Sequence, residues 1–528
     1  MRTLSSVTLI AVAIPVVRTD AVSRSLEAAR LAKSHGADLV EWRVDTLAEE
    51  REGPSAVGRL VAESPLPCIV TVRDEAEGGA FSGSDDERIA MWQAAANAVP
   101  GCAYIDTELS TYHTRQSIQS AVKGIAHETS RPAEDRPRVI ISFHDFRGRP
   151  AGLSSRIAEM WADPGSAVAK VVWTARTARD NLEAFELLRI RAKPTIALCM
   201  GEHGLMSRVL APKFGGFLTY ARADEHGTAP GQPTIHELIE EWNFRAITAR
   251  TRVYGVVGHP IAHSRSPSVH NAWFRAAGVD ARMFAISVAP MWEAFKATLG
   301  EFFGSPLLDF FGTAVTVPHK EHAVRFVEEA GGTVDARAMR IGAANTISRA
   351  ADGTLVAVNT DADAIVDVLG ASTLAGKRVA VLGAGGTARA AACGLASIGA
   401  SVVIANRTAS RAKRIADEFA QPHGGHAGLD VHAVSLSSLA KSAFDVIVNC
   451  TSAGMHGGEA PDENPLPSGV AIHESTVVFD AVYTPEQTPL LKYAAQRGAR
   501  CIGGSAMFTA QARRQFELWT GSPPTTAL

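Results

Sequence analysis

Residues 376–408 read GKRVAVLGAGGTARAAACGLASIGASVVIANRT. An apolar run, RVAVLGA, leads into Gly383-x-Gly385-x-x-Ala388, then into a stretch of small residues and a second apolar run, SVVIANR. The pattern predicts a strand, a tight turn, a helix and a second strand. In this context each small residue has a physical task. Gly383 allows the turn, Gly385 lets the backbone approach a pyrophosphate, and Ala388 lets helix and strand pack closely; Gly386 counts with them among the cofactor-binding residues. The pyrophosphate would rest on the amides at the helix N-terminus.

The second strand ends at Asn406-Arg407-Thr408, with Arg411 just beyond. An Asp or Glu at that place would hold a free ribose 2′-hydroxyl. Here a 2′-phosphate finds two guanidiniums and no repelling carboxylate. The expected cofactor is NADP, in a Rossmann-type domain. The bland alternative is that these arginines solvate the start of the next helix.

Upstream, residues 1–247 follow another rhythm. Eight short apolar runs occur, most of them roughly 30 residues apart: LIAVAIPVV, DLVEWRVD, PCIVTVR, AYIDTEL, RVIISFHDF, AKVVWTA, PTIALCM and FLTYA. Helical Ala/Arg/Glu-rich stretches separate most of them, as expected of strands buried on both faces. Eight such units make a (β/α)8 barrel of ~250 residues. Its last helix is expected over TIHELIEEWNFRAI, ending near Ile247. Glu41, Arg43, Arg73, Glu77 and His144 fall at or near strand ends, which in a barrel converge on one mouth. Any one of them alone reads equally well as a loop charge. Lys170 lies early within its run, and burial there should lower its pKa and free the amine as a nucleophile.

The motifs EWRVD (41–45), TVRDEAEGG (71–79), SFHDF (142–146), AK (169–170), MSR (206–208) and TAPGQ (228–232) resemble type I 3-dehydroquinate dehydratase, over almost all of residues 1–245. The resemblance implies that Lys170 forms an imine with the substrate ketone. It implies that His144 moves the proton, oriented by Glu77, and that Arg208 binds the substrate carboxylate. Glu41, Arg43, Arg73, Thr228 and Gln232 would hold ring hydroxyls and a closing loop. Thr228 stands where serine is usual, and keeps the hydroxyl. No metal is called for, since the histidines here show no HxH or HExxH spacing.

After a short linker, TARTR (248–252), comes HPIAHSRSPSVHN (259–271). Ser266-Pro267 predicts a helix start, with serine at the N-cap and proline at N1. The three histidines then share no helical face, and no GxSxG elbow surrounds the serines. Hydroxyls and helix-start amides make a cradle for a polyol acid. With TVPHKE (316–321), IGAANT (341–346), NTDADA (359–364) and AMFTAQA (506–512), this stretch resembles shikimate dehydrogenase, across roughly 253–520. The resemblance implies that Ser264, Ser266, Thr316, Asn345, Tyr483 and Gln511 hold substrate, and that Lys320 and Asp361 are the catalytic pair. Standing alone, Lys320 would read as a surface lysine and Asp361 as a helix N-cap. Ala314 and Ala362 depart from the residues common at their positions.

The chain of 528 residues carries a net charge of −3, with 46% apolar and 20% charged residues. Without a long basic run, nucleic acid and membrane surfaces are not expected partners. No apolar run approaches the ~18 residues of a membrane span, and VTLIAVAIPVV reads as a first core strand. Six widely spaced cysteines, none in a CxxC pair, suit a reducing, cytoplasmic setting.

The expectation is therefore an α/β protein: a (β/α)8 barrel (1–247), a substrate domain (253–358, with helix 505–520 returning to it) and an NADP-binding Rossmann domain (359–504). It would dehydrate 3-dehydroquinate to 3-dehydroshikimate and reduce that to shikimate. The rivals are a quinate/shikimate dehydrogenase running oxidatively and a metabolite-sensing regulator built on retired enzyme domains. The retained lysines and the absence of a basic DNA-binding segment speak against the regulator.

Overall fold

A computed structural model of the chain describes residues 7–128, 132, 136–223, 230–424 and 427–526. Two compact units emerge, Met1–Arg252 with Glu301–Asp309, and Val253–Gly300 with Phe310–Leu528. Among the described residues no helix is long and apolar enough to cross a membrane.

All eight apolar runs of the first unit are strands: β1 (Leu9–Pro15), β2 (Leu39–Arg43), β3 (Cys68–Thr71), β4 (Tyr104–Glu108), β5 (Arg138–Asp145), β6 (Val168–Thr174), β7 (Thr195–Met200) and β8 (Leu218–Ala221). Each lies parallel to its neighbour in the order β7-β6-β5-β4-β3-β2-β1-β8. The barrel is nearly closed: at the β7/β8 seam the Phe217 N–H donates to the Thr195 carbonyl (2.9 Å).

Side chains alternate along a strand, so every second residue faces the barrel interior. The innermost apolar layer is Ala11, Leu39, Ile69, Tyr104, Ile140, Val168, Ile196 and Leu218. Two residues on along each strand stand Ala13, Glu41, Thr71, Asp106, Ser142, Lys170, Leu198 and Tyr220. Apolar packing thus gives way to polar chemistry within one strand step.

The barrel's last helix differs from expectation. A π-turn at Glu237–Glu241 ends at Trp242, Asn243 adopts φ 45°, and a 3-10 turn follows at Phe244–Ala246. The left-handed asparagine interrupts the helical ladder, and Leu238 and Phe244 are buried on either side of the break.

In the second unit β9 (Arg252–Gly258), β10 (Ala281–Ser287), β11 (Phe310–Val315), β12 (Thr333–Val334), β13 (Thr346–Arg349) and β14 (Leu355–Val358) form one sheet, in the order β10-β9-β11-β13-β14-β12. The C-terminal helix Gly504–Thr520 buries Phe508, Ala512, Phe516 and Trp519 against Tyr254, Trp273 and Phe274 of this layer. A second sheet comprises β15 (Arg378–Leu382), β16 (Ser401–Ala405), β17 (Val431–Val434), β18 (Val446–Asn449), β19 (Val477–Asp480) and β20 (Arg500–Ile502). Its strands are all parallel, in the order β17-β16-β15-β18-β19-β20.

The small-residue helix is Gly386–Ser397. Ala388, Ala390, Ala391 and Ala392 are fully buried, and a Cβ at Gly394 would stand 3.0 Å from the Ala362 carbonyl. The run of alanines and glycines is what lets this helix lie against the neighbouring helix Thr360–Leu369.

Candidate active sites

The barrel interior opens to solvent through a pocket lined among others by Glu41, Arg43, Arg73, Glu77, His144, Lys170, Arg208 and Gln232. Every described residue assigned to the barrel site from the sequence is here. Thr228 lies outside the described residues. Phe146 stands at the pocket, 47% exposed, and Gly78 (φ 77°) makes room for it: a Cβ there would meet the ring at 2.3 Å.

Lys170 is 3% exposed. Its Nζ donates to Asp106 Oδ2 (3.0 Å) and Tyr220 Oη (3.1 Å), and lies 3.6 Å from Glu41 Oε1. Burial works to lower its pKa, as the sequence suggested. The Asp106 and Glu41 carboxylates outweigh burial, and the pKa is raised. The resting amine is a clamped ammonium, not a free nucleophile. That corrects the expectation, which considered desolvation without counter-charges.

His144, near the end of β5, offers Nδ1 to Glu77 Oε2 at 3.0 Å, and its backbone N–H donates to the same oxygen (3.0 Å). Burial, then the Arg73 and Lys170 charges, hold the imidazole well below its usual range. Burial pushes the Glu77 carboxyl up to about 7, against the pull of Arg73. While Glu77 is ionised, His144 presents Nδ1–H to it, and Nε2 carries the free lone pair.

Arg208 has a different environment. It is 1% exposed, and no described carboxylate pairs with it. Its Nε has no hydrogen-bond partner, and burial lowers its pKa to about 10. A buried guanidinium without an anion is costly unless a ligand supplies one.

Sequence reading missed the second ring of charges. Arg73 donates to Asp106 Oδ1 (2.7 Å), Ser142 Oγ (2.7 Å) and Glu108 Oε1 (3.1 Å). Arg88, fully buried, donates to Glu108 Oε2 (2.8 Å). Arg43 is engaged by Asp45 (2.6 Å) and Glu41 by the Thr71 hydroxyl (2.6 Å).

In the second unit Lys320 is 9% exposed at the start of the helix Lys320–Glu329. Its Nζ donates to Asp361 Oδ2 at 2.5 Å and to Thr387 Oγ1 at 3.0 Å. Asn345 Nδ2 donates to Asp361 Oδ1 (2.8 Å), Thr360 Oγ1 (2.9 Å) and Gln511 Oε1 (3.3 Å). Asp361 does not cap its helix: Asn359 does, accepting from the Asp361 and Ala362 amides (3.1 and 3.2 Å). The cap frees the Asp361 carboxylate to face the lysine. Ala362 and Ala314 are both buried.

The helix after HPIAHSR starts one residue earlier than expected. Its N-cap is Arg265, with Ser266 the first helical residue, and Ser264 Oγ accepts from the Ser266 amide (3.3 Å). Ser264 and Thr316 are half-buried and Ser266 buried. Tyr483 packs on Phe508, ring centroids 5.6 Å apart. None of these four has a described hydrogen bond to Lys320 or Asp361. His259 and His263 are exposed, while the buried His270 points Nδ1 at the Ser266 carbonyl (3.0 Å), so the three histidines do not converge.

The dinucleotide loop has the shape its residues suggest. Gly383 has φ 115°, and a Cβ on Gly385 would meet nothing within 4 Å, which leaves open space for a pyrophosphate. Ala388 is buried. Past β16, Asn406 Nδ2 donates to the Thr408 carbonyl (3.1 Å), while Arg407, Thr408 and Arg411 are exposed. No described carboxylate pairs with either arginine. This donor set fits a cofactor carrying a 2′-phosphate.

Comparisons with known proteins place the chain in a family. Residues 12–248 match the family model of type I 3-dehydroquinase. Residues 256–347 match the shikimate dehydrogenase substrate binding domain, and residues 366–456 match shikimate / quinate 5-dehydrogenase. The bifunctional 3-dehydroquinate dehydratase/shikimate dehydrogenase of Arabidopsis thaliana, a chloroplastic protein, is 37% identical, over 96% of this chain and 81% of the relative. The NADP(+) shikimate dehydrogenase of Methanocella arvoryzae is 41% identical over 52% of this chain and 94% of its own. A solved structure of the dehydroquinate dehydratase and shikimate dehydrogenase of S. pombe AroM covers 98% of this chain and 96% of its own, at 25% identity and a TM-score of 0.40. The chain belongs to the family of bifunctional 3-dehydroquinate dehydratase/shikimate dehydrogenases, joining a lyase to an NADP-dependent oxidoreductase.

Proposed function

We propose that the barrel dehydrates 3-dehydroquinate through an imine on Lys170, and that the second unit reduces the resulting 3-dehydroshikimate to shikimate. One observation carries the barrel reading. A single pocket holds a buried amine, an imidazole–carboxyl pair, and a buried guanidinium lacking an anion. That set matches a ring ketone bearing a carboxylate.

Arg208 takes the carboxylate as a charge-assisted pair. Lys170 gives up a proton, attacks the ketone and loses water to form the imine. The cationic imine draws electrons from the neighbouring carbon. His144 Nε2 removes the proton there and returns one to the departing hydroxyl, with Glu77 fixing the ring. Water then hydrolyses the imine, which releases the 3-dehydroshikimate ketone and returns the Lys170 amine, so one water is lost per turnover. Asp106, bonded to both Arg73 and Lys170, keeps Nζ in place. Glu41, Arg43, Gln232 and Thr228 hold ring hydroxyls and the closing loop.

In the second unit NADPH, when bound, supplies a hydride. The loop Gly383–Ala388 would receive its pyrophosphate and Arg407 and Arg411 its 2′-phosphate. Lys320 supplies the proton the new alkoxide needs, with Asp361 positioning the ammonium. Ser264, Ser266, Thr316, Asn345, Gln511 and Tyr483 hold the substrate carboxylate and hydroxyls. We assign barrel, substrate domain and Rossmann domain to 1–247, 253–358 (with 505–520) and 359–504. A cytosolic setting is our reading of the free, widely spaced thiols.

A coupled assay tests the whole. Dehydroquinate with NADPH should consume nicotinamide absorbance faster than with NADH. Lys170→Ala should stop that flux yet leave dehydroshikimate reduction intact. Normal consumption of dehydroquinate by the Lys170 variant would refute the imine.

A further inference from the structure

A lysine ammonium has three donors in a tetrahedral array. Two of Lys320's are committed, to Asp361 Oδ2 (2.5 Å) and Thr387 Oγ1 (3.0 Å). No third acceptor for it is described. Two fixed anchors determine the direction of the remaining N–H, whereas one anchor would leave the ammonium free to turn about its contact with Asp361. Thr387 sits in the dinucleotide loop, at an x position of Gly383-x-Gly385-x-x-Ala388, where the fingerprint asks only for backbone. The lysine stem lies on the same loop: a Cβ at Gly386 would meet Lys320 Cδ at 3.0 Å and Cβ at 3.1 Å. The loop that takes the cofactor therefore also grips the lysine.

We propose that Thr387 is a positioning residue for the dehydrogenase reaction, its hydroxyl aiming the free N–H of Lys320 at the substrate ketone oxygen. The proposal rests on Lys320 being the proton donor. It adds a second anchor beside Asp361 and ties the lysine's aim to the cofactor loop.

The test compares Thr387→Val and Thr387→Ser in the full chain, with dehydratase turnover as the internal control for folding and Lys320→Ala alongside. Thr387→Val keeps the shape and loses the acceptor. A hydrogen bond to a charged group is worth roughly tenfold to a hundredfold in rate. Shikimate oxidation by Thr387→Val should therefore lose that much kcat, with KM for shikimate and the fluorescence-measured Kd for NADP+ within about twofold of wild type. Thr387→Ser should restore the rate. Near wild-type turnover in Thr387→Val would overturn the proposal. So would a serine variant as impaired as valine, or a loss appearing only as weaker NADP+ binding. If Lys320→Ala itself oxidised shikimate normally, the underlying role of Lys320 would be what failed.

Discussion

Lys170 shows how one side chain's chemistry depends on its neighbours. Alone in an apolar strand it would be a neutral amine, but Asp106 and Glu41 keep it charged. In the proposed imine chemistry its proton must leave before it attacks. The Glu77 carboxyl is pushed up to about 7, and in the proposed mechanism its charge decides whether His144 Nε2 is a free base. As pH rises through that value Glu77 ionises, Nδ1–H is fixed, and kcat/KM for dehydration should rise. In Glu77→Gln this acid limb should vanish along with much of the rate; an unchanged limb would assign the titration elsewhere. Stability runs in the opposite direction. The folded carboxyl holds its proton more tightly than a chain carboxyl of 4.5, so this stabilisation is full below pH 4.5 and lost as pH rises through about 7. Arg208→Ala should raise KM for dehydroquinate roughly a hundredfold, since it removes a charged pair. An unaltered KM would remove Arg208 from carboxylate binding.

At the scale of elements, Asn359 links helix capping to catalysis. Its side chain caps the helix Thr360–Leu369 and its Nδ2 donates to the Ala343 carbonyl (2.8 Å), so one residue sets both Asp361 and the loop before Asn345. Asn359→Ala should cost about 1 kcal/mol of stability, the usual worth of a cap. It should also lower dehydrogenase kcat while leaving dehydration untouched, as a thermal melt and two separate assays would show. A stability loss with unchanged kcat would make the cap purely structural. The strands were legible because burial on both faces writes itself as continuous apolar runs. Asp106, Glu108 and Tyr220 were also within reach. Each sits at the inward parity of its strand, two residues apart in YIDTE and two past Leu218; Asp106 and Tyr220 are hidden within apolar runs, whereas Glu108 ends β4 as openly as Arg43 ends β2. The break at Asn243 and the shift of the N-cap to Arg265 were not legible, since both turn on single backbone torsions that residue type does not fix.

At the scale of the whole molecule, the two activities share a chain but not a lysine. Lys320→Ala should convert dehydroquinate to dehydroshikimate and stop there, and Lys170→Ala should reduce added dehydroshikimate. Mixed together, the two single variants should restore net flux to shikimate; an inert mixture would contradict the division of labour. Replacing Arg407 and Arg411 by alanine should cut the preference for NADPH over NADH at least tenfold (about 1.4 kcal/mol), with dehydration unaffected. The cofactor was legible at one strand end, because a missing carboxylate and two guanidiniums are a charge pattern. The pairing of Lys320 with Asp361 needed resemblance first, since 41 residues separate them and either alone reads as ordinary surface chemistry.

The most direct measurement is borohydride reduction of the full chain in the presence of 3-dehydroquinate, read by peptide mass. A covalent adduct on the peptide containing Lys170, absent from Lys170→Ala, is the expected result. A wild-type chain that turns over substrate without ever trapping an adduct, or an adduct that persists in Lys170→Ala, would contradict imine chemistry at this site.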